Sequence, residues 1–352
     1  MSALPPWTLQ ADAPLHRLNT FGLDVTAPWL LDLYDACRLP AALAQAQSKG
    51  LPLIPLGSGS NVLFVGDPHA CIVRFHSHHA DILTRDDAHA LIRVGAGFDW
   101  HAWVMWSLEH GFAGLENLAW IPGTVGACAV QNIGAYGTQV ETLIDCVETY
   151  DCHRGGFFNL AAKECDFGYR DSVFKRHPDR YLIIAVRFRL PLSQPPRLAY
   201  PGIGEELQRH HITQPSPLDV AHAIIRLRSR KLPDPKRVGN VGSFFKNPVI
   251  LPSQYDALRQ RLPHLPCYPT GASTAVKVPA AGLIEACGWK GYRAGDAGVY
   301  PHHALVLVNY GKATGSELLQ LAQAISADVS RRFGITLEPE PRLIGASWHC
   351  PV

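Results

Sequence analysis

The fold and chemistry of this chain are indicated most clearly by one stretch, Asn240-Val241-Gly242-Ser243-Phe244-Phe245-Lys246-Asn247-Pro248. It places the hydroxyl of Ser243 next to a glycine, with Lys231 upstream and Lys246 downstream. Glycine lets a backbone approach a ligand closely, and a serine held there delivers a proton when neighbouring groups stabilise the charge. An ordinary turn with a buried phenylalanine pair is the alternative, and these nine residues alone leave both interpretations open.

Two glycine-rich segments lie upstream of that stretch. Residues 55–63 (PLGSGSNVL) follow a predicted strand, and residues 121–126 (IPGTVG) lead into residues 131–137 (QNIGAYG). Neither contains Lys or Arg, so a phosphate there would be held by backbone N–H groups and small hydroxyls. Neither matches a P-loop or a Rossmann fingerprint. Glycine turns are common, but two such segments in one chain favour a nucleotide site.

Charged residues suggest an anionic ligand, although each has a structural alternative. Arg170 precedes Asp171, with which it can form an ion pair, and Glu340 lies in a proline-stiffened turn typical of a solvent-facing acid. The histidines at 76, 78, 79, 302 and 303 have no matching partner motif, so we expect no metal site. A basic cluster before Ser243 suits either an anionic substrate or a helix end whose dipole it complements: Arg226, Arg228, Arg230, Lys231, Lys236 and Arg237.

Composition indicates a soluble globular protein of two or three domains. The chain has 352 residues, 47% of them hydrophobic and 18% charged, which is ordinary for that class. A net charge of +2 argues against a nucleic-acid surface. Residues 1–10 do not resemble a signal peptide, and no apolar run approaches a membrane span. We therefore expect a cytoplasmic protein with no nucleic-acid or membrane partner. A monomer is a separate expectation, which composition does not decide.

The cysteines indicate a reducing compartment. Their number is odd, they are scattered, and no CxxC pair occurs, which is typical of reduced thiols and not of a disulfide framework or a zinc site. The nine are Cys37, Cys71, Cys128, Cys146, Cys152, Cys165, Cys267, Cys287 and Cys350.

Local patterns predict a mixture of helices and strands. Strands are predicted at 29–33, 51–56 and 91–94, and helices at 40–49, from the cap Asp99 to His110, and from Ser216 onward. A last long helix ends at Gly334. Alternating apolar residues from Leu182 to Leu190 predict a strand with one apolar face, and residues 193–201 form a proline-rich connector. Since strict βαβ alternation is missing, the class is α+β.

Taken together, these segments resemble the UDP-N-acetylenolpyruvoylglucosamine reductase family. Seven segments match in order along almost the whole chain: 19–22, 57–64, 114–137, 167–174, 231–236, 242–248 and 337–345. The resemblance implies a two-part FAD-binding domain of the vanillyl-alcohol-oxidase (PCMH) kind and a C-terminal α+β substrate-binding domain. The implied divisions are 1–70 and 71–212 for the FAD subdomains, 213–333 for the substrate domain, and 334–352 for a segment carrying the catalytic acid.

The resemblance also implies roles for individual residues. Ser243 matches the proton donor, and Arg170 and Glu340 match the pair that flanks the enolpyruvyl group. The implied substrate-binding residues are Tyr200, Lys231, Asn247 and Lys290. The implied cofactor-binding residues are Leu56, Gly57, Ser58, Gly59, Ser60, Asn61, Pro122, Gly123, Thr124, Gly126, Asn132 and Gly137.

The implied chemistry uses noncovalent FAD and NADPH to reduce an enolpyruvyl UDP-sugar. The glycine segments contain no histidine for covalent flavin attachment. Arg170 would stabilise the enolate, whereas Glu340 would do so only when protonated or through a hydrogen bond, since two anions repel. Ser243 is a weak acid and needs a polarising neighbour. Tyr200 would belong to a mobile cover over the substrate.

Two departures from the family pattern and two rival functions remain. Pro341 follows Glu340 where relatives often carry valine, which restricts the backbone of Glu340, and His302 or His303 stands where some relatives use a glutamine. An oxygen-using FAD oxidase of the same fold is one rival. A nucleotide-binding protein without catalysis is the other, but it has no need of Ser243 and Arg170.

Overall fold

The computed structural model describes residues 5–270 and 274–349. The strands are β1 Trp7–Pro14, β2 Thr26–Leu33, β3 Leu53–Pro55, β4 Val62–Phe64, β5 Cys71–Phe75, β6 Ala80–Arg85, β7 His89–Gly95, β8 Gly134–Ala135, β9 Thr138–Gln139, β10 Ile144–Asp151, β11 Gly156–Ala161, β12 Tyr181–Pro191, β13 Gly239–Ser243, β14 Val249–Ile250, β15 Tyr268–Pro269, β16 Val276–Lys277, β17 Arg293–Ala294, β18 Ala297–Val299, β19 Val306–Asn309 and β20 Arg342–Ile344.

The α-helices are α1 Leu39–Gln47, α2 Trp100–Glu109, α3 Val125–Val130, α4 Val173–Arg176, α5 Ile203–Arg209, α6 Pro217–Lys231, α7 Pro252–Arg261, α8 Ala280–Ala286 and α9 Gly315–Phe333. Short 3₁₀ helices occupy His16–Leu18, Ala36–Arg38, Glu116–Leu118, Val140–Leu143 and Ala162–Cys165. The mixture confirms the α+β class. The chain forms two compact units, of which unit 1 comprises residues 1–13, 27–59 and 69–230, and unit 2 comprises residues 14–26, 60–68 and 231–352.

A four-stranded sheet in unit 1 has the order β1-β2-β5-β3. β5 pairs in parallel with β2 and β3, so that Cys71 lies opposite both Trp29 and Leu53. α1 connects β2 to β3, and its buried residues Leu39 and Leu43 pack with Leu31 and Val73 of the sheet. The predicted strand–helix–strand at the start of the chain is thereby confirmed.

The second sheet of unit 1 has the order β11-β10-β12-β7-β6, and its central strand β12 contacts two hydrophobic cores. Leu182 and Ile184 pack in the core of the first sheet, whereas Val186 and Phe188 pack in the larger core with α2 and α3. The prediction of one apolar face is therefore wrong. The reason is a bulge: Glu148 lies opposite Ala185 and Thr149 opposite Ile183, so Ile184 is the extra residue on β12. A bulge reverses the side to which later side chains point.

The predicted helices form, and the predicted ends are confirmed except in α1, which ends at Gln47 and not at residue 49. The carboxylate of Asp99 accepts a hydrogen bond from the N–H of Ala102 at 2.8 Å, and α2 stops just before His110. α6 follows Ser216, whose hydroxyl accepts from Asp219 N at 3.2 Å. α9 ends at Gly334, and at its start Thr314 and Glu317 form a reciprocal capping box. The starts of these three helices are satisfied by local side chains, whereas α9 ends through the backbone N–H of Gly334, which donates to Ser330 O.

The basic end of α6 is mostly structural. Buried Glu206, on α5, accepts a hydrogen bond from Arg226 Nε at 2.9 Å and forms an ion pair with Arg230. These contacts, led by Arg230, lower the pKa of the Glu206 carboxyl to about 2. Arg228 does not join this cluster and instead donates to the carbonyl of Trp120 at 3.1 Å. The structural interpretation of the cluster thus holds for Arg226 and Arg230, and Arg228 is left for another role.

Unit 2 contains an antiparallel sheet with the order β13-β19-β18-β17 and a parallel pair, β4 with β20. Residues 14–26 belong to this unit because their backbone is bound by its sheet. The Asn240 N–H donates to Thr20 O at 2.9 Å, and the side-chain amide of Asn309 donates to Phe21 O at 3.0 Å. β13, which ends at Ser243, is therefore braced by backbone on both sides.

The described residues contain no group of three His, Cys, Asp or Glu side chains placed to hold a metal. His76 instead lies 2.8 Å from Asp32, which also accepts from Arg74. Over the same residues, no helix is long and apolar enough to cross a membrane. Cysteines in the described ranges are free thiols, and burial raises the pKa of Cys165 to about 12. Cys350 lies outside the described residues.

Candidate active site

The two glycine segments meet in unit 1 at Gly57 and Thr124. A Cβ added to Gly57 would lie 2.7 Å from Thr124 Oγ1 and 3.6 Å from its Cγ2, closer in the first case than real side chains approach. Glycine is needed here for close approach. The two loops contain no Lys or Arg and are more than sixty residues apart in sequence, and they therefore lie side by side in the structure.

The second loop is held by backbone bonds on both sides. Trp100 N donates to Gly123 O at 3.0 Å, Val125 N donates to Phe98 O at 2.9 Å, and Gly126 N donates to Ala96 O at 2.9 Å. These bonds fix the turn into α3 so that its small residues stay beside Gly57. A glycine cradle without charged side chains fits a flavin nucleotide, whose diphosphate and ribityl groups are held by backbone donors and hydroxyls.

The other predicted cofactor residues differ in burial and in the unit to which they belong. In unit 1, Leu56 and Gly59 are buried, whereas Ser58, Pro122 and Gly137 are exposed. Ser60 and Asn61 belong to unit 2.

Asn132 is buried, and its side chain is used within the protein. Its amide donates to Gln139 Oε1 and to Gly168 O, both at 3.0 Å, and its oxygen accepts from Glu141 N at 3.1 Å. Both donors of the amide are thereby consumed. Asn132 therefore shapes this part of the chain through its own hydrogen bonds.

Arg170 is held in a strained conformation near these loops. Its φ is +55°, and its Nη2 donates to Gly134 O at 2.6 Å. Asp171, the alternative partner that the sequence suggests for Arg170, forms an ion pair with Arg176. Non-glycine residues with positive φ are costly and concentrate at functional sites. Trp120, Asn132 and Tyr136, all in unit 1, share this property with φ of +62°, +45° and +48°.

Arg228 is a further candidate that the sequence offered only as one member of a cluster. Its guanidinium is half-buried, and burial lowers its pKa, with nearby Arg170 lowering it further and Tyr136 opposing the shift. No carboxylate pairs with it among residues 5–270 and 274–349. An arginine that has no carboxylate partner and lies near a second cation attracts an anion. Tyr200, whose ring meets that of Tyr136 edge-on with centroids 4.8 Å apart, completes this group.

In unit 2, Ser243 and Glu340 are carried by neighbouring backbone segments. Glu340 N donates to Phe244 O at 2.7 Å, and Phe245 pairs with Pro339. On the other side, Asn61 Nδ2 donates to Glu340 O at 3.4 Å. Gly242, with φ of +73°, turns the strand just before Ser243. The backbone of Glu340 is fixed at both its N–H and its carbonyl, although Pro341 follows it.

The remaining predicted substrate residues also lie in unit 2, in different settings. Lys231 is exposed at the end of α6. The side-chain oxygen of Asn247 accepts from Ala280 N at 3.0 Å and so caps α8. Lys290 forms an ion pair of 2.8 Å with Glu285. His303 lies in the turn before β19, where its Nδ1 accepts from Leu305 N at 3.2 Å.

Comparison with known proteins connects both halves of this arrangement to described families. Residues 34–154 match the model of an FAD binding domain, and residues 234–344 match that of the UDP-N-acetylenolpyruvoylglucosamine reductase C-terminal domain. UDP-N-acetylenolpyruvoylglucosamine reductase of Xylella fastidiosa (strain M12) is 56% identical over 98% of this chain and 98% of its own. That of Xanthomonas euvesicatoria pv. vesicatoria (strain 85-10) is 54% identical over 97% of this chain and 98% of its own.

The chain belongs to the UDP-N-acetylenolpyruvoylglucosamine reductase family. It is an FAD-dependent oxidoreductase, and the resemblance noted from the sequence is confirmed. The crystal structure of UDP-N-acetylenolpyruvylglucosamine reductase (MurB) from Thermus caldophilus matches with a TM-score of 0.65 and 23% identity, covering 96% of this chain and 98% of that one, which supports a shared fold.

The matched ranges divide the predicted residues of this reductase. Both glycine segments fall within the FAD binding domain, and Ser243, Asn247, Lys290 and Glu340 fall within the C-terminal domain. Arg170, Tyr200 and Lys231 lie outside both ranges.

Proposed function

We propose that this protein reduces UDP-N-acetylglucosamine enolpyruvate to UDP-N-acetylmuramate with NADPH, in peptidoglycan precursor synthesis. The observation that carries the proposal is the hydrogen bond between Glu340 N and Phe244 O, which puts the predicted acid and the predicted proton donor on paired backbone. An FAD oxidase or a passive nucleotide-binding protein has no use for that pairing.

The loops that meet at Gly57 and Thr124 would hold the FAD without a covalent bond. When bound, FAD supplies the hydride that the terminal vinyl carbon of the substrate receives, after NADPH has reduced it. The two loops contribute backbone donors and hydroxyls but no cation.

Three residues of the chain act on the substrate in this proposal. Arg170 stabilises the negative charge that develops when the vinyl group accepts a hydride. Glu340, through a hydrogen bond, orients the same group. Ser243 then delivers its proton to the carbon bearing the ether oxygen, so that one hydride and one proton saturate the double bond. Ser243 recovers its proton from solvent.

The anionic parts of the substrate require cations and amides. Lys231, Asn247, Lys290 and Tyr200 are proposed to bind them, with Arg228 added from its unpaired, half-buried guanidinium. A half-buried cation without a carboxylate partner is partly desolvated, and a bound anion offsets that cost. We also propose domain boundaries after residues 70, 212 and 333, a cytoplasmic location and a monomeric state. Light scattering giving twice the chain mass of 38.6 kDa would exclude the monomer.

An anaerobic titration tests the function. Protein reduced with NADPH is mixed with UDP-N-acetylglucosamine enolpyruvate, and flavin absorbance is followed. We expect reoxidation at one substrate per flavin without oxygen. Reoxidation only after oxygen is admitted would favour the oxidase, and the lack of a flavin spectrum would favour the passive binding protein.

A further inference from the structure

Trp120 immediately precedes the second cofactor loop, residues 121–126, and leaves much of its indole in solvent. The residue as a whole is 45% exposed, whereas Trp100 and Trp103 of α2 are buried. Its φ of +62° is unusual for a bulky residue, since the left-handed region is unfavourable for side chains with a Cβ. An exposed aromatic in a strained backbone needs a reason, because neither property stabilises the fold.

Two side chains hold the backbone of Trp120 in this conformation. Its N–H donates to His101 Nδ1 at 3.1 Å, and its carbonyl accepts from Arg228 Nε at 3.1 Å. The ring of His101 also meets the indole edge-on, with centroids 5.1 Å apart at 84°. Burial lowers the pKa of His101, which keeps the ring neutral and its Nδ1 able to accept. The indole is therefore fixed at its base while its ring remains accessible.

Arg228 indicates which kind of ligand the indole of Trp120 would bind. The same guanidinium that binds the Trp120 carbonyl is half-buried, near Arg170 and Tyr136, and has no carboxylate partner in the described parts of the chain. A cation that attracts phosphate beside a flat aromatic ring is the pairing that recognises a nucleotide, since every base offers a π-face for stacking.

We propose that Trp120 is a stacking platform for the planar ring of a nucleotide whose phosphates are drawn to Arg228. Flavin or adenine of FAD, nicotinamide of NADPH and uracil of the UDP-sugar share this chemistry. The proposal rests on the proposed function only for the identity of these nucleotides. Direct binding measurements therefore test it even when turnover fails.

Equilibrium titrations of Trp120→Gly and Trp120→Phe separate the sources. Glycine adopts positive φ without strain and removes the ring, whereas phenylalanine keeps a ring. Kd is measured for FAD with apoprotein, and for NADP⁺ and UDP with the FAD-loaded protein. We expect at least one Kd to rise about 5- to 150-fold in Trp120→Gly, the range of one aromatic–base contact, and to stay within about threefold of wild type in Trp120→Phe.

Phe157→Ala is the matched control, since Phe157 is 52% exposed on the edge strand β11 of the same unit. It should leave all three constants unchanged. If Trp120→Gly fails to fold, Trp120→Asn replaces it, because asparagine tolerates positive φ. The nucleotide whose Kd rises identifies the source. Three unchanged constants, or equal losses in the Phe and Gly variants, overturn the proposal.

Discussion

Gly57→Ala tests whether the two glycine loops form the FAD cradle. The added Cβ would lie 2.7 Å from Thr124 Oγ1, 3.6 Å from Thr124 Cγ2 and 3.5 Å from Ala127 Cβ. Only the first distance is below van der Waals contact, so the strain falls on Thr124, whose β-branched side chain has little rotamer freedom. Overpacking of this kind costs about 1–3 kcal/mol. If bound FAD requires Thr124 in its present position, this free energy is lost from FAD binding. The Kd for FAD then rises about 5- to 150-fold.

A double-mutant cycle makes this prediction specific. Thr124→Ala removes both Thr124 atoms near the added Cβ, including the only one in steric conflict with it, so Gly57→Ala should cost less than about threefold in FAD affinity when Thr124 is already alanine. Gly204→Ala is the matched control: Gly204 lies in α5, has no heavy atom within 4 Å of its added Cβ and has no positive φ. The Kd for FAD is measured by flavin fluorescence with apoprotein. Unchanged FAD affinity in Gly57→Ala, or an equal loss in both Thr124 backgrounds, refutes the reasoning.

Three further predictions concern stability, attachment and motion. Glu206→Gln should destabilise the fold by about 2 kcal/mol, since it leaves Arg226 and Arg230 without their carboxylate. The pKa of Glu206 in the folded protein, about 2, is below the ordinary 4.5. Its stabilisation of the fold is therefore present above pH 4.5 and is lost as pH falls towards 2. Over that range the free energy of unfolding measured in urea should fall more for wild type than for the variant. Acid denaturation and centrifugation should leave the yellow colour in the supernatant, whereas a yellow pellet means covalent FAD. Limited proteolysis near Tyr200 should slow when the UDP-sugar is added, and equal cleavage would argue against a moving cover.

Local elements of this fold were predictable because their causes are local. Asp99 and Ser216 cap helices through bonds to residues three positions away, and Gly334 ends α9. The faces of β12 were not predictable, because the bulge at Ile184 depends on pairing with β10. A local alternation of apolar residues contains no information about that partner.

The site shows the same limit. Sequence motifs predicted that residues 55–63 and 121–126 serve one nucleotide, and the close approach of Gly57 to Thr124 agrees with that prediction. Patterns did not separate Arg228 from its neighbours, since all are basic residues of one helix end. Only the position of Glu206 on α5 distinguishes the paired arginines from the one that is not paired with it. The positive φ of Trp120 likewise has no sequence signal, because the residue is neither Gly nor Asn.

Ser243→Ala tests the central claim most directly. The role proposed for Ser243 begins after hydride has left the flavin, so NADPH should reduce the flavin of the variant at a near-normal rate. Reoxidation by the enolpyruvyl substrate should slow by about 10²–10⁴, the loss typical of a general acid, with little change in substrate affinity. Stopped-flow absorbance measures the two half-reactions separately, with Ser253→Ala, at an exposed serine of α7 in the same unit, as a hydroxyl control. Slow flavin reduction with fast reoxidation would contradict the role given to Ser243 and the mechanism built on it.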